Sequence, residues 1–194
     1  SFDGDISMDK YIKFSKKPYD RVFLVDLIDE TDDMKWKVLD YHNQDFVLKS
    51  IVNGQPFTRD GHKKFLEILP SLKRKQYIVY FDHRAIGKLS WTPSDDGKVI
   101  RDFGYFLFNE DDLMSGMGLI MAAVSFHYIF DVLNVEIIHT SALIGNKNSR
   151  NLGKRFGFKV VGKDEQCVFM DCTKEDYHRV SKSIDELLEL YFSL

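Results

Sequence analysis

The sequence is short of cysteine and proline, carries no excess of basic charge and holds no long apolar run. Each shortage excludes a class of protein. Two cysteines, Cys167 and Cys172, and four prolines in 194 residues cannot build a disulfide scaffold, and the cysteine spacing matches no zinc motif. A reducing cytoplasm is the expected home. A formal net charge of −3 with a pI near 6.1 gives no sequence-wide attraction for nucleic acid or an anionic membrane, both of which need a basic face. No apolar stretch approaches the roughly 18 residues that span a bilayer, and the first residues are acidic and polar where a signal peptide is basic and then apolar. The expectation is a soluble protein with no membrane or nucleic-acid partner.

What is present suits a globular enzyme-sized domain. Hydrophobic residues make up 44% and charged residues 29%, enough apolar material for a core and too much for a disordered chain. Residues 1–20 mix Gly4, Lys16, Lys17 and Pro18 with scattered aromatics and read as an N-terminal arm, with Met8 the native start and Ser1–Ser7 a remnant. One domain is expected over 21–172 and a C-terminal helix over 173–194, packed on that domain or on a partner.

Within the domain, the β-branched run Val22–Ile28 predicts a strand. Two helices follow. The first begins after Thr31, and the second begins after Thr58 with His62, Phe65, Leu66 and Leu69 facing inward. Tyr77–Phe81 and Ala85–Trp91 predict a hairpin, and Phe103–Phe108 predicts a third strand beside it. A glycine turn, a long apolar helix over Leu119–Leu133 and a strand over Glu136–Ala142 form a crossover that makes part of the sheet parallel. A polar helix over Asn146–Phe156, a closing hairpin (Phe158–Val161 with Val168–Met170) and an amphipathic helix over Ser181–Phe192 complete the chain.

Two segments carry chemistry. Gly116 and Gly118 lie where a strand gives way to a helix, and glycine there lets the backbone approach a ligand with its N–H groups aimed at anionic oxygens. The pair reads either as a pyrophosphate cradle or as a structural turn. There is no Gly-Lys-Ser/Thr of a P-loop and no third glycine of a dinucleotide fold. Downstream, Asn146 to Phe158 holds Lys147, Arg150, Lys154 and Arg155, either a cationic wall for phosphates or a solvated helix closed by Gly157.

The β-α-α-β-β-β order, the turn Met114-Ser115-Gly116-Met117-Gly118 opening a long helix, and the Asn146-x-x-Ser149 to Gly157-Phe158 helix resemble the GCN5-related N-acetyltransferases over about Arg21 to Cys172. The joint spacing of the two motifs, with one strand between them, carries the resemblance. It implies an α/β fold of the α+β kind, with a central mixed, mostly antiparallel sheet of about seven strands, splayed parallel central strands and flanking helices. It implies acetyl-CoA as co-substrate and no metal. Pantetheine would pair with the backbone of Leu107, Phe108 and Asn109, and the turn amides of Met114, Ser115, Gly116, Met117, Gly118 and Leu119 would hold the pyrophosphate. Asn146 and Ser149 would touch the cofactor arm. Two departures stand out: Leu113 replaces a polar residue that often opens the phosphate motif, and Gly153 stands where many members place a tyrosine that protonates the departing thiolate.

The N-terminal half sets the acceptor in that family. Tyr41-His42-Asn43, His62 with Phe65-Leu66, Tyr77-Ile78-Val79 and Ile86-Gly87 look most like the branch that acetylates the 4-amino group of a UDP-linked amino sugar on the route to pseudaminic acid. Ribosomal-protein alanine N-acetyltransferases share the layout, and a non-catalytic acyl-CoA-binding module remains a third reading. His62 and Trp91 are candidate acceptor contacts, although a helix-face histidine and a strand tryptophan are also ordinary core residues. Candidates for the catalytic base are His139 and Ser141, which share a face by strand parity, and Asp102 or Tyr105 on the neighbouring strand. A backbone N–H near Leu107 would serve the oxyanion. The quaternary expectation is a monomer or a homodimer.

Overall fold

The computed structural model describes residues 10–192. Its strands are β1 (Tyr11–Lys13), β2 (Val22–Asp26), β3 (Lys75–Phe81), β4 (Arg84–Pro93), β5 (Val99–Leu107), β6 (Ile137–Leu143), β7 (Lys159–Lys163) and β8 (Cys167–Thr173). Its helices are α1 (Asp32–His42), α2 (Asp45–Leu48), α3 (Arg59–Ile68), α4 (Met117–Phe126), α5 (Lys147–Arg155) and α6 (Lys174–Phe192). The strands make one sheet in the order β1-β2-β3-β4-β5-β6-β8-β7, antiparallel except for β5 and β6. The fold is therefore the expected mixed sheet with one central parallel pair, with eight strands where about seven were expected.

The extra strand corrects the reading of the N-terminus. Tyr11–Lys13 pairs with Phe23–Val25, Phe14 and Tyr19 are buried, and the Tyr19 hydroxyl donates to Asp185 of α6 at 2.8 Å. From Lys10 onward the supposed arm is part of the fold, because its aromatics have a core to enter. The expectation about Met8 and Ser1–Ser7 lies outside the described residues.

Strand parity divides the core in two. One face of the sheet holds Leu24, Val79, Leu89, Ile100, Leu107, Ile138 and Met170 beneath α4 and α6. The other holds Phe23, Val25, Ile78 and Tyr80 beneath the elements of Val38 and Leu69. β1 to β5 contribute to this second core, while on β6 and β8 the same face carries polar or exposed residues: His139, Ser141, Phe169 and Asp171.

Local signals set the helix ends. Thr31 accepts from Met34 N at 3.1 Å and Thr58 from Gly61 N at 3.0 Å, as side-chain N-caps do. The expected long apolar helix is α4 continued by a π-helical stretch, His127–Val132, where Leu133 N reaches back five residues to Tyr128 O at 2.8 Å. Within it Asp131 accepts from His127 at 2.9 Å and from His178 of α6 at 2.8 Å. Burial raises that carboxyl, but the two histidine bonds outweigh it and hold it at about 2. The C-terminal helix begins at Lys174, earlier than expected, and packs Tyr177, Ile184 and Leu188 into its own domain's core. Among the described residues no helix is long and apolar enough to cross a membrane.

Candidate active site

The sheet is split between β5 and β6. Their parallel ladder covers Val99↔Ile137 and Ile100↔Ile138, while β6 pairs along its whole length with β8. Past that point Asp102 takes a left-handed backbone (φ 54°), and the β4–β5 register shifts between Ser90 and Thr92. This is a bulge, which turns a strand away from its neighbour. The Thr140 hydroxyl bridges the base of the split, donating to Phe103 O at 2.7 Å.

Backbone direction alternates along a strand. Phe108 N donates to Ile86 O of β4 at 2.9 Å, and Phe103 O faces β6, so Tyr105 and Leu107 also turn their N–H and C=O groups toward the split. Leu107, expected to pair with pantetheine, is among these. Phe108, also expected to, is not: its N–H is spent on Ile86, its carbonyl accepts from Gln44 Nε2 at 2.9 Å, and its side chain is buried in the second core. Asn109 is exposed at the head of the turn.

That turn runs through a 3₁₀ segment, Glu110–Met114, to Gly116, the N-cap of α4. Arg84 of β4 anchors it with two bonds to the buried Asp112 carboxylate, at 2.7 and 3.1 Å, a pairing the sequence reading missed because it joins residues 28 apart. Gly116 has φ 82°, so glycine is required for conformation, while a Cβ there would meet only the ring end of the half-exposed Tyr191, at 2.7 Å. Gly118 differs, because a Cβ there would meet nothing within 4 Å. No side chain caps α4, and its first intrahelical acceptor bond comes from Ile120 N. The amides of Met117, Gly118 and Leu119 are therefore left at the positive end of the helix. Ser115 N is already given to Asp112 O, Met114 is almost fully exposed, and the Met117 side chain is buried, so these residues offer backbone geometry and little else.

Across the split, Asn146 caps α5 by accepting from Ser149 N at 3.1 Å, which commits its Oδ1 and the Ser149 amide. Asn146, Arg150 and Gly153 stand at i, i+4 and i+7, one line along the helix, and none of the three is exposed. Arg150 Nε is buried and is the one buried side-chain nitrogen or oxygen without a partner among the described residues. The sequence reading listed Arg150 only as part of a basic helix.

The candidate bases separate. His139 Nδ1 lies 2.7 Å from Asp171 Oδ1, its cross-strand partner on β8. A carboxylate at Nδ1 holds the proton there and leaves Nε2 to accept another. Asp171 was missed, since strand register alone brings it opposite. Ser141 is on the same face and exposed, and no hydrogen bond to His139 is found. Tyr105 is on the opposite face, packed against the main core, and burial pushes its hydroxyl above the ordinary tyrosine value. It stays protonated near neutral pH and does not serve as the base.

Of the two roles weighed for His62 and Trp91, both take the core one and not the acceptor contact. His62 is 3% exposed and its Nε2 lies 2.7 Å from Lys35 O, so it ties α3 to α1. Trp91 is 1% exposed among Tyr77 and Tyr128 in the main core, since its parity on β4 turns it away from the second face. Residues that do approach the split from the acceptor side come from the loop between α1 and α3. Asn43 clamps that loop with two bonds to Phe57, both 2.8 Å, and His42 stacks on Phe57 at 3.8 Å. Gln44 ties the loop to the end of β5. A cavity of about 950 Å³ opens between this loop, at Phe46 and Asn53, the β6–α5 turn, at Leu143 and Asn146, and the β7–β8 hairpin, at Gln166. Among the described residues no group of three or more metal-ligating side chains converges.

No protein-family model matches the chain, and no curated protein matches its sequence. Solved structures match its fold. The chain superposes on Campylobacter jejuni N-acetyltransferase PseH in complex with acetyl coenzyme A with a TM-score of 0.62 at 16% identity, over 78% of this chain and 98% of that one. Aminoglycoside acetyltransferase AAC(6')-Ib in complex with coenzyme A gives 0.69 at 17%, over 81% and 98%. A Bacillus halodurans protein described as uncharacterized gives 0.72 at 12%, over 86% and 91%. The protein thus has the fold of the GCN5-related N-acetyltransferases.

Proposed function

We propose that the protein is an acetyl-CoA-dependent N-acetyltransferase acting on a primary amine. The observation that carries this reading is the split itself. It has outward-facing amides on β5, uncapped helix amides at one end and a histidine–aspartate pair at its base. Met117, Gly118 and Leu119 amides would hold the pyrophosphate of CoA, and Tyr105 and Leu107 backbone groups would pair with the pantetheine arm. Asn146 Nδ2 and Ser149 would flank that arm from α5.

The transfer is a direct displacement. A neutral amine attacks the thioester carbonyl carbon, a C–N bond forms, and the carbonyl electrons collect on oxygen, where an N–H of Tyr105 or Leu107 stabilises them. The excess proton of the new ammonium passes to His139 Nε2, with Asp171 orienting the ring. The C–S bond then breaks and CoA leaves as a thiolate. Gly153 brings no hydroxyl to that thiolate, and the guanidinium of Arg150, one turn earlier on the same helix line, would offset its charge.

The acceptor we favour is the 4-amino group of a UDP-linked amino sugar. The Tyr41-His42-Asn43 pattern supports it, as does the fold match to PseH. A thiol-release assay with acetyl-CoA against UDP-4-amino sugars, aminoglycosides, polyamines and peptides with a free N-terminal alanine tests the reading. Release with the nucleotide sugar alone is expected. Release with peptides alone would replace it with the protein acetyltransferase reading, and tight CoA binding with silence across the panel would replace it with a binding module.

A further inference from the structure

We propose that Lys88 and Arg74 form an anion-binding subsite on the acceptor face of the sheet, so that the amine this protein acetylates carries a phosphate or carboxylate group and is not a polycation. The inference rests on the acetyltransferase reading and names the chemistry of its acceptor. Lys88 sits on β4 opposite Phe106 of β5, with its side chain on the acceptor face. Its ammonium lies 5.7 Å from the Phe65 ring centroid, and Phe106 in turn meets His42 edge-on at 6.1 Å. Among the described residues no hydrogen bond or ion pair reaches the Lys88 ammonium. Arg74 crosses from the start of β3 to the same face of β4 and donates to Ser90 Oγ at 2.9 Å and Thr92 Oγ1 at 3.3 Å. Ser90 is two residues from Lys88, about 6–7 Å along the same face.

Both cations are part-buried, and neither has a carboxylate. Asp102 of β5 attracts Arg74 at a distance, but no ion pair forms between them. Two like charges held together out of water are costly unless a counter-charge arrives. The cost shows on Lys88, where burial first and Arg74 second lower its ammonium to about 8. An oxyanion between the two groups removes that cost and gains charge-assisted hydrogen bonds. A polycationic amine would add to the repulsion, which excludes partners by charge as well as by shape. The β5 backbone beside Phe106 is the backbone assigned to the thioester, so an anion at Lys88 would anchor an acceptor within reach of the acyl group.

The test is calorimetric binding of UDP, inorganic pyrophosphate, succinate and spermidine to the protein saturated with CoA, comparing wild type with Lys88→Met, Lys88→Arg and Arg74→Gln. Melting curves check that each variant folds. The expected result is anion binding that falls about tenfold or more in Lys88→Met and Arg74→Gln, about 1.4 kcal/mol for a tenfold change, and largely survives in Lys88→Arg. UDP and pyrophosphate above succinate would identify a phosphorylated acceptor, and the reverse order a carboxylated one. Anion affinities unchanged in folded Lys88→Met and Arg74→Gln would overturn the proposal, as would spermidine binding more tightly than every anion. Failure of CoA itself to bind would instead sink the acetyltransferase reading, and the anion titrations on the free protein would still decide the subsite.

Discussion

The two sides of the split are built from different materials. The side assigned to the cofactor is made of backbone: an uncapped helix start, strand amides turned outward by a bulge, and glycines required by conformation or left open for a ligand. The side assigned to the acceptor is made of side chains from distant segments: His42 from the end of α1, Phe57 from the loop before α3, Arg74 from the residue before β3, Lys88 from β4, His139 from β6 and Asp171 from β8. Backbone geometry accepts any chain of the right turn and helix, so a cofactor shared by many enzymes suits it. Side chains converging from six places can be exchanged one at a time, and there specificity can change while the fold stays.

The sharpest way to break this contrast is at the base of the split. His139→Ala is expected to lower kcat by about 10² to 10⁴-fold, the range of general base catalysis, with CoA affinity unchanged in calorimetry. Asp171→Asn should lower it less, because the ring keeps a hydrogen-bond partner at Nδ1 but loses the carboxylate that fixes its tautomer. A His139→Ala enzyme with normal kcat would return the base role to water or Ser141.

On the cofactor side, Gly118→Trp should weaken CoA binding by about 100-fold, since the space beside the amides is open to a ligand and therefore to an indole. Its melting temperature should match wild type. Gly116→Val should behave in the opposite way and unfold at lower temperature, as its φ of 82° is a left-handed conformation that a β-branched residue adopts only with strain. Equal effects at the two glycines would erase the distinction between cradle and turn.

The framework beneath the cofactor side depends on Asp131. Its folded value of about 2 against an ordinary 3.8 means that its stabilisation is fully present above pH 4 and is lost as pH falls through about 2. Asp131→Asn should cost on the order of 2 kcal/mol at pH 7, measured by urea unfolding, with the difference from wild type shrinking at acid pH. A difference constant from pH 7 to pH 3 would contradict this account. The smallest effect is expected for Ser149→Ala: the amide of Ser149, which the substitution keeps, holds the Asn146 cap, and its exposed hydroxyl only flanks the cofactor arm, so CoA affinity should stay within about twofold.

The unequal legibility of the two sides follows from the same contrast. The glycines at 116 and 118, the crossover helix and the capping Asn146 are local signals, each readable within a few residues. His62 was legible as an inward helix residue from its three-and-four spacing, whereas Trp91 was ambiguous because alternation gives the two faces of a strand but not which of them meets which core. Tyr105 was grouped with His139 for want of the bulge at Asp102, which sets the strand's parity against β6.

The order of elements from Val22 onward, the glycine turn ahead of the long helix and the absence of metal-binding and disulfide spacing were determined by the sequence alone, because each depends on interactions between near neighbours in the chain. Only the tertiary structure decided that Asp171 faces His139, that Asp112 locks the turn through Arg84, that Arg150 Nε is left unpaired, and that Lys88 and Arg74 share one face without an acid. These arrangements bring together residues 14 or more apart, through strand register for His139 and Asp171 and through the packing of turn, helix and sheet for the others, which no local signal encodes.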